Sequence, residues 1–213
     1  MKLIYGTTNK AKIDFMKKHT EPLGIEILSL SDVNAPKLEI DESGKTPIEN
    51  AKIKALAYYR ELRQPVFSCD SGLYIDGLDN ARQPGAHVRS VGGRELNDEE
   101  AIAYFSSLAT EFGGSITARY QHAICLVLDD AQVYEHMGDD IASERFLIVA
   151  KPHKKRNEGF PIDSLSVDIK SGKYYYDMDD RTKKLAEGDD GFATFFKRVL
   201  QGETRNKYPA NGR

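Results

Sequence analysis

Apolar positions in this 213-residue chain recur with two periods, one of 3.6 and one of two residues, and the switches between them mark its elements. Lys2–Tyr5 is a short apolar run that reads as a buried strand. Gly6-Thr7-Thr8-Asn9 then turns into a helix to about residue 19, with Asn9 as its N-cap. Residues 25–29 form a second strand, and 30–43 are irregular and acidic. Thr46-Pro47-Ile48-Glu49 is a capping box with proline at the first helical position. Ile48, Ala51, Ala55, Tyr58 and Leu62 follow at helical spacing, a stripe for the core. Residues 65–69 form a strand that delivers Asp70 at its C-terminal end. Residues 74–75 form another short strand, and a glycine-containing loop runs to about residue 94.

The second half begins with another capping box, Asn97-Asp98-Glu99-Glu100, opening a helix to about residue 111. The clearest strand follows. Ile116, Ala118, Tyr120, His122, Ile124, Leu126 and Leu128 share one face, with Thr117, Arg119 and Gln121 opposite. Asp129-Asp130 turns it into a long strand from 132 to about 141. Residues 146–150 form a further strand, 151–159 a basic loop, and 162–168 an extended segment. Helices near 179–186 and 191–200 close the fold. The alternation predicts an α/β (mixed) domain with a mixed sheet. Residues 1–202 read as one folded unit with a cleft, and 203–213 as a polar tail.

A formal net charge of -3 gives no electrostatic case for nucleic-acid binding. Cys69 and Cys125 are the only cysteines, which is no disulfide framework and fits a cytoplasmic setting. No apolar run is long enough to cross a bilayer. Five histidines and two cysteines show no zinc spacing.

Three segments carry candidate chemistry. The turn at Thr7, Thr8 and Asn9 opens a helix whose first turn holds Lys10 and Lys12. Cations there oppose the helix dipole unless an anion offsets them, so the segment reads either as a phosphate cradle or as an ordinary capped helix. Glu39-Ile40-Asp41-Glu42 offers carboxylate oxygens of the kind that hold Mg²⁺ when substrate phosphates complete the octahedron. Asp70, in Ser68-Cys69-Asp70-Ser71-Gly72, reads either as part of an Asp-Ser-Gly turn or as a carboxylate pointing into a crevice where it could ligate the metal, orient a water or accept its proton. Gly44-Lys45-Thr46 lacks the upstream glycine of a P-loop. Glu49 is assigned to its capping box, His122 to the core, and the run Lys151–Arg156 to solvent.

In combination these segments resemble the inosine triphosphate pyrophosphatase family, which hydrolyses non-standard purine nucleoside triphosphates. Thr7 to Lys12 is similar to that family's T-G-N-x-x-K. Glu42 to Ala51, with Lys54-Ala55, matches E-x-G-x-T-x-x-E-N-A-x-x-K-A, and Asp70-Ser71-Gly72-Leu73 matches D-S-G-L. Leu78 followed by Pro84-Gly85 is similar to L-x-x-x-P-G. The family's G-F-G-Y-D-P appears as Gly159-Phe160-Pro161-Ile162-Asp163-Ser164, and its base-reading S-H-R as Gly188-Asp189-Asp190. The resemblance implies an elongated mixed sheet flanked by helices, two lobes around a cleft, and a homodimer. It also implies Mg²⁺ held by Glu42 and Asp70, with Asp70 catalytic. Thr7, Thr8, Asn9, Lys12, Ser71 and Lys184 would hold the triphosphate, with Phe160 and Asp163 at the base. Two other readings stay open: a related metal-dependent hydrolase for a different nucleotide, or a nucleotide-binding homologue without turnover.

Overall fold

The computed structural model describes residues 1–178 and 191–200. The candidate site residue Lys184, the Gly188-Asp189-Asp190 segment, the helix expected at 179–186 and the tail 203–213 lie outside the described residues.

Strands β1 (Lys2–Tyr5) and β2 (Glu26–Leu28) pair in parallel, and β1 pairs in parallel with β3 (Val66–Ile75). Strand β3 runs antiparallel along β6 (Ser115–Val127) for its whole length. The far edge of β6 takes two partners, β7 (Val133–His136) at one end and β8 (Phe146–Val149) at the other. Strand β9 (Ser166–Asp168) completes the seven-stranded mixed sheet, while β4 (Ser90–Val91) and β5 (Arg94–Glu95) form a separate hairpin. Helices α1 (Lys10–Thr20), α2 (Pro47–Leu62), α3 (Asp98–Glu111) and α4 (Gly191–Leu200) flank the sheet. Among the described residues no helix is long and apolar enough to cross a membrane.

Local chemistry explains the helix starts. The side chains of Thr46 and Asn97 each accept from the backbone N–H three residues on, and Glu49 and Glu100 reciprocate. Both expected capping boxes are therefore present. Helix α2 buries Ala51, Ala55, Tyr58 and Tyr59, while Ile48 and Leu62 of the expected stripe are half-buried.

Three strand expectations need correction. Asp70 does not end a strand: residues 66–75 are one continuous strand, and Asp-Ser-Gly lies within it. Gly72 is required there by close packing rather than by a turn. A Cβ at Gly72 would stand 2.8 Å from the Gly85 carbonyl carbon and 2.9 Å from Pro47 Cγ. The strand expected from 132 to 141 stops at His136, because Gly138 leads into a 3₁₀ turn at Asp139–Ile141. The segment expected to be extended over 162–168 is a 3₁₀ turn (Pro161–Leu165) before β9.

The core divides by face of the sheet. Ala123, Cys125, Val127 and Val66 pack on one face with the buried residues of α2. On the other, Phe67, Cys69, Ile124 and Leu126 pack with α1 and α4, and further along Leu73, Ile75, Ile116 and Ala118 pack with α3. Between the α1/α4 cluster and the α3 cluster the sheet is uncovered at Ser71 and His122. That gap is the cleft.

Candidate active site

Strand β1 ends opposite Phe67, so β3 projects past it toward Gly85. Gly6 N–H donates to the Phe67 carbonyl at 2.8 Å, and Leu73 and Gly85 exchange hydrogen bonds of 2.9 and 3.0 Å. Backbone groups of alternate residues face the same edge, so Cys69 and Ser71 turn theirs into the gap between these anchors. Consecutive side chains point to opposite faces, so Asp70 and Ser71 face different environments.

Asp70 faces α2. Lys54 Nζ donates to Asp70 Oδ1 at 2.9 Å and to Glu42 Oε2 at 2.8 Å. Asn50 Nδ2 donates to Asp70 Oδ2 at 3.3 Å, and Asn50 Oδ1 accepts from Gly44 N–H at 2.8 Å. Asn50 thus ties the acidic loop to β3. His87 Nε2 bonds the Gly44 carbonyl at 2.9 Å and holds that loop from its other side. Burial alone would lower the Lys54 pKa, but Asp70 and Glu42 outweigh it and hold the ammonium above its ordinary value.

The site therefore brings Glu42 and Asp70 together, with the Lys54 ammonium at the point where their oxygens converge. This cation tests whether the pair fits Mg²⁺. Two carboxylates aimed at one positive centre, with the Glu42 side open to solvent, suit a hard ion whose other ligands are water and phosphate oxygens. Among the described residues no group of three or more His, Cys, Asp or Glu side chains is arranged to hold a metal. A closed cage of protein ligands is thus absent there. Lys54 went unassigned in the sequence because lysine eight residues into a helix reads as a solvated position; its 13% side-chain exposure shows otherwise.

Ser71 faces the other way, into a cavity of about 440 Å³. Its floor is Cys69, Ser71 and His122; α1 contributes Lys12, Phe15 and His19, and Phe192 and Phe160 close it. Asn9 also lines the cavity and caps α1, its Oδ1 accepting from Lys12 N–H at 3.2 Å. Thr7 Oγ1 accepts from Asn9 N–H at 3.2 Å and holds the turn, while Thr8 is exposed. Lys12 is half-buried and makes no ion pair among the described residues.

Phe160 is half-exposed at the cavity rim. Asp163 does not line the cavity. Asn157 Nδ2 donates to its Oδ2 at 3.0 Å, and burial raises its pKa. His122 is the residue the sequence misplaced. Its Nδ1 shares a 2.7 Å hydrogen bond with Ser71 Oγ, and its ring lines the cavity. Burial and the neighbouring Lys12 push its pKa down to about 4, so it is neutral at pH 7. Only the cross-strand pairing of Ser71 with His122 could have revealed this, and that register is invisible along the chain.

The mixed α/β sheet thus carries an acidic pair on one face and, on the other, a cavity that the basic start of α1 helps to line. The chain belongs to the Ham1 family, whose profile matches residues 3–185. It is 39% identical over 129 residues to a dITP/XTP pyrophosphatase of Exiguobacterium sp., covering 59% of this chain and 62% of that protein. It is 33% identical over 138 residues to the dITP/XTP pyrophosphatase of Rhodopseudomonas palustris, covering 63% of this chain and 64% of that one. The chain thus spans just under two thirds of the length of these relatives. Its fold is that of a Ham1 protein structure from Coxiella burnetii, with a TM-score of 0.70, 21% identity, and 96% and 100% of the two chains covered.

Proposed function

We propose that this protein hydrolyses non-standard purine nucleoside triphosphates to the monophosphate and pyrophosphate, cleansing the cytoplasmic nucleotide pool. The observation that carries this reading is the convergence of Glu42 and Asp70 on the Lys54 ammonium, one residue along β3 from Ser71, which faces the cavity that Lys12 and Asn9 help to line. The names of its relatives support the substrate class.

In the proposed reaction, water attacks the α-phosphorus and the bond to the pyrophosphate oxygen breaks. Asp70 accepts the water's proton; Asn50 fixes the orientation of its carboxylate. Glu42 and Asp70 would hold Mg²⁺, which supplies charge neutralisation at the phosphate oxygens when bound. The Lys54 ammonium adds a positive charge beside the carboxylates that would favour a phosphate oxygen. Lys12, Asn9, Thr7, Thr8 and the free N–H groups of the α1 start hold the polyphosphate tail, with Ser71. Phe160 at the cavity rim offers a stacking face for the base, while Asp163 is carried as a contact to the base edge on the sequence resemblance alone. Lys184 is carried as a further phosphate ligand on the sequence resemblance alone, as is assembly into a homodimer.

The test is pyrophosphate release across a panel of triphosphates with Mg²⁺. Preference for inosine or xanthosine triphosphate, abolished by Asp70→Asn, is expected. Full activity of Asp70→Asn refutes the mechanism. Turnover of another base alone assigns a different nucleotide, and binding without turnover assigns a non-catalytic homologue. Sedimentation at micromolar concentration tests the dimer.

A further inference from the structure

His122 is not a satisfied core histidine. Its Nδ1 is taken by Ser71 Oγ at 2.7 Å, but Nε2, at the far tip of the ring, makes no hydrogen bond among the described residues. The ring lies in the cavity floor, with centroid distances of 6.3 Å to Phe192 and 6.5 Å to Tyr120. Nε2 is open to the cavity, where an N–H or O–H of a ligand can take the place of water as its partner.

The geometry points to His122 as a positioning and substrate-reading residue, which orients the Ser71 hydroxyl toward the polyphosphate and accepts, through Nε2, a hydrogen bond from an N–H or O–H of the nucleoside. This deepens the proposed function and rests on the same cavity receiving the nucleotide. A neutral imidazole has one donor and one acceptor nitrogen. When Nδ1 carries the proton it donates to Ser71 Oγ, and the Ser71 hydroxyl proton is free to donate to a phosphate oxygen. Nε2 is then necessarily an acceptor. In the other tautomer Ser71 spends its proton on His122 and turns only lone pairs to the cavity, which a phosphate oxygen repels. A bound polyphosphate therefore selects the first tautomer, and one proton placement serves both ends of the ligand. Burial, with the Lys12 charge adding to it, disfavours an imidazolium there.

Two substitutions separate the halves of the proposal. His122→Asn keeps an amide at the Nδ1 position to meet Ser71 but has nothing at Nε2; His122→Ala removes both. The probes are inorganic tripolyphosphate and inosine triphosphate, each with Mg²⁺, binding being followed by calorimetry on the full chain and turnover by pyrophosphate release. Loss of one such hydrogen bond weakens binding about tenfold. His122→Asn is expected to bind tripolyphosphate within about twofold of wild type, while the KM for inosine triphosphate rises about tenfold with kcat little changed. His122→Ala is expected to weaken both ligands. Repeating the comparison with 2′,3′-dideoxyinosine triphosphate locates the donor: a vanished His122 dependence assigns the sugar hydroxyls, a retained one the base, and either supports the proposal. Unchanged affinity for both probes in both variants, with unfolding midpoints as in wild type, overturns it; so does a loss confined to kcat. The calorimetric arm needs no turnover. Should no triphosphate be hydrolysed, a selective loss of inosine triphosphate affinity in His122→Asn still upholds the role of His122 while the hydrolytic reading falls.

Discussion

Lys54→Met removes the cation from between Glu42 and Asp70 at nearly constant volume. The cost divides between two contacts of unequal burial. The Glu42 side chain is 47% exposed, so water screens that limb and its loss costs about 0.5 kcal/mol. The Asp70 and Lys54 side chains are 14% and 13% exposed, and orphaning one member of a buried pair costs roughly 3–5 kcal/mol. The Asn50 hydrogen bond to Asp70 survives the change and brings that limb to about 2–3 kcal/mol. The sum is about 3 kcal/mol, which for a chain of this length lowers Tm by roughly 6–12 °C. Two unneutralised carboxylates aimed at one point also form a stronger cation site than the pair does with its lysine in place. Thermal unfolding with and without millimolar Mg²⁺ is the assay. A divalent ion at ten times its Kd restores about 1.4 kcal/mol, so the variant recovers by several degrees while wild type gains less. A variant destabilised as expected but indifferent to Mg²⁺ and Mn²⁺ would show that Glu42 and Asp70 do not form a cation site.

Other outcomes follow from the same geometry. His122 titrates near 6.5 in the unfolded chain and near 4 in the fold, so as pH falls between those values the unfolded state takes up a proton the fold refuses. Stability is therefore lost from about pH 6.5 down to about 4, on the order of 2–3 kcal/mol; urea unfolding at pH 7 and 4.5 should show a smaller loss in His122→Asn than in wild type. Gly72→Ala drives a methyl group into the Gly85 backbone and Pro47, and unfolding should be easier by about 1–3 kcal/mol, with KM raised because Asp70 and Ser71 immediately precede it on the displaced strand. An unchanged melting curve would contradict the close packing there. Lys12→Met should raise the KM for triphosphates and flatten its dependence on salt between 50 and 200 mM, since about one cation is lost from the proposed phosphate cradle.

Those elements whose cause is local could be read directly from the chain. Thr46 with Glu49 and Asn97 with Glu100 announce α2 and α3, because a capping box satisfies its own backbone donors within four residues. The carboxylate pair was legible through the spacing of its motifs, which the fold converts into adjacency. What escaped depends on contacts between distant segments. Asp-Ser-Gly reads as a turn, yet it lies within β3, because the close approach of Gly85 and Pro47 demands glycine at position 72. Lys54 looks like a surface lysine until Glu42 folds over it, and His122 like core until Ser71 is set opposite it. Strand 132–141 was overextended because Gly138 ends the pairing with β6 after His136.

Since Asp70 and Ser71 are sequence neighbours on opposite sides of a pleat, the groups around each are almost disjoint: α2 and the acidic loop for one, α1 and Phe192 for the other. A ligand that engages both must wrap around the rim of β3. Drift on the Ser71 side can then retune which ligand is admitted while bond-breaking geometry on the Asp70 side is left untouched. A lineage can thereby exchange its substrate without rebuilding its hydrolytic centre.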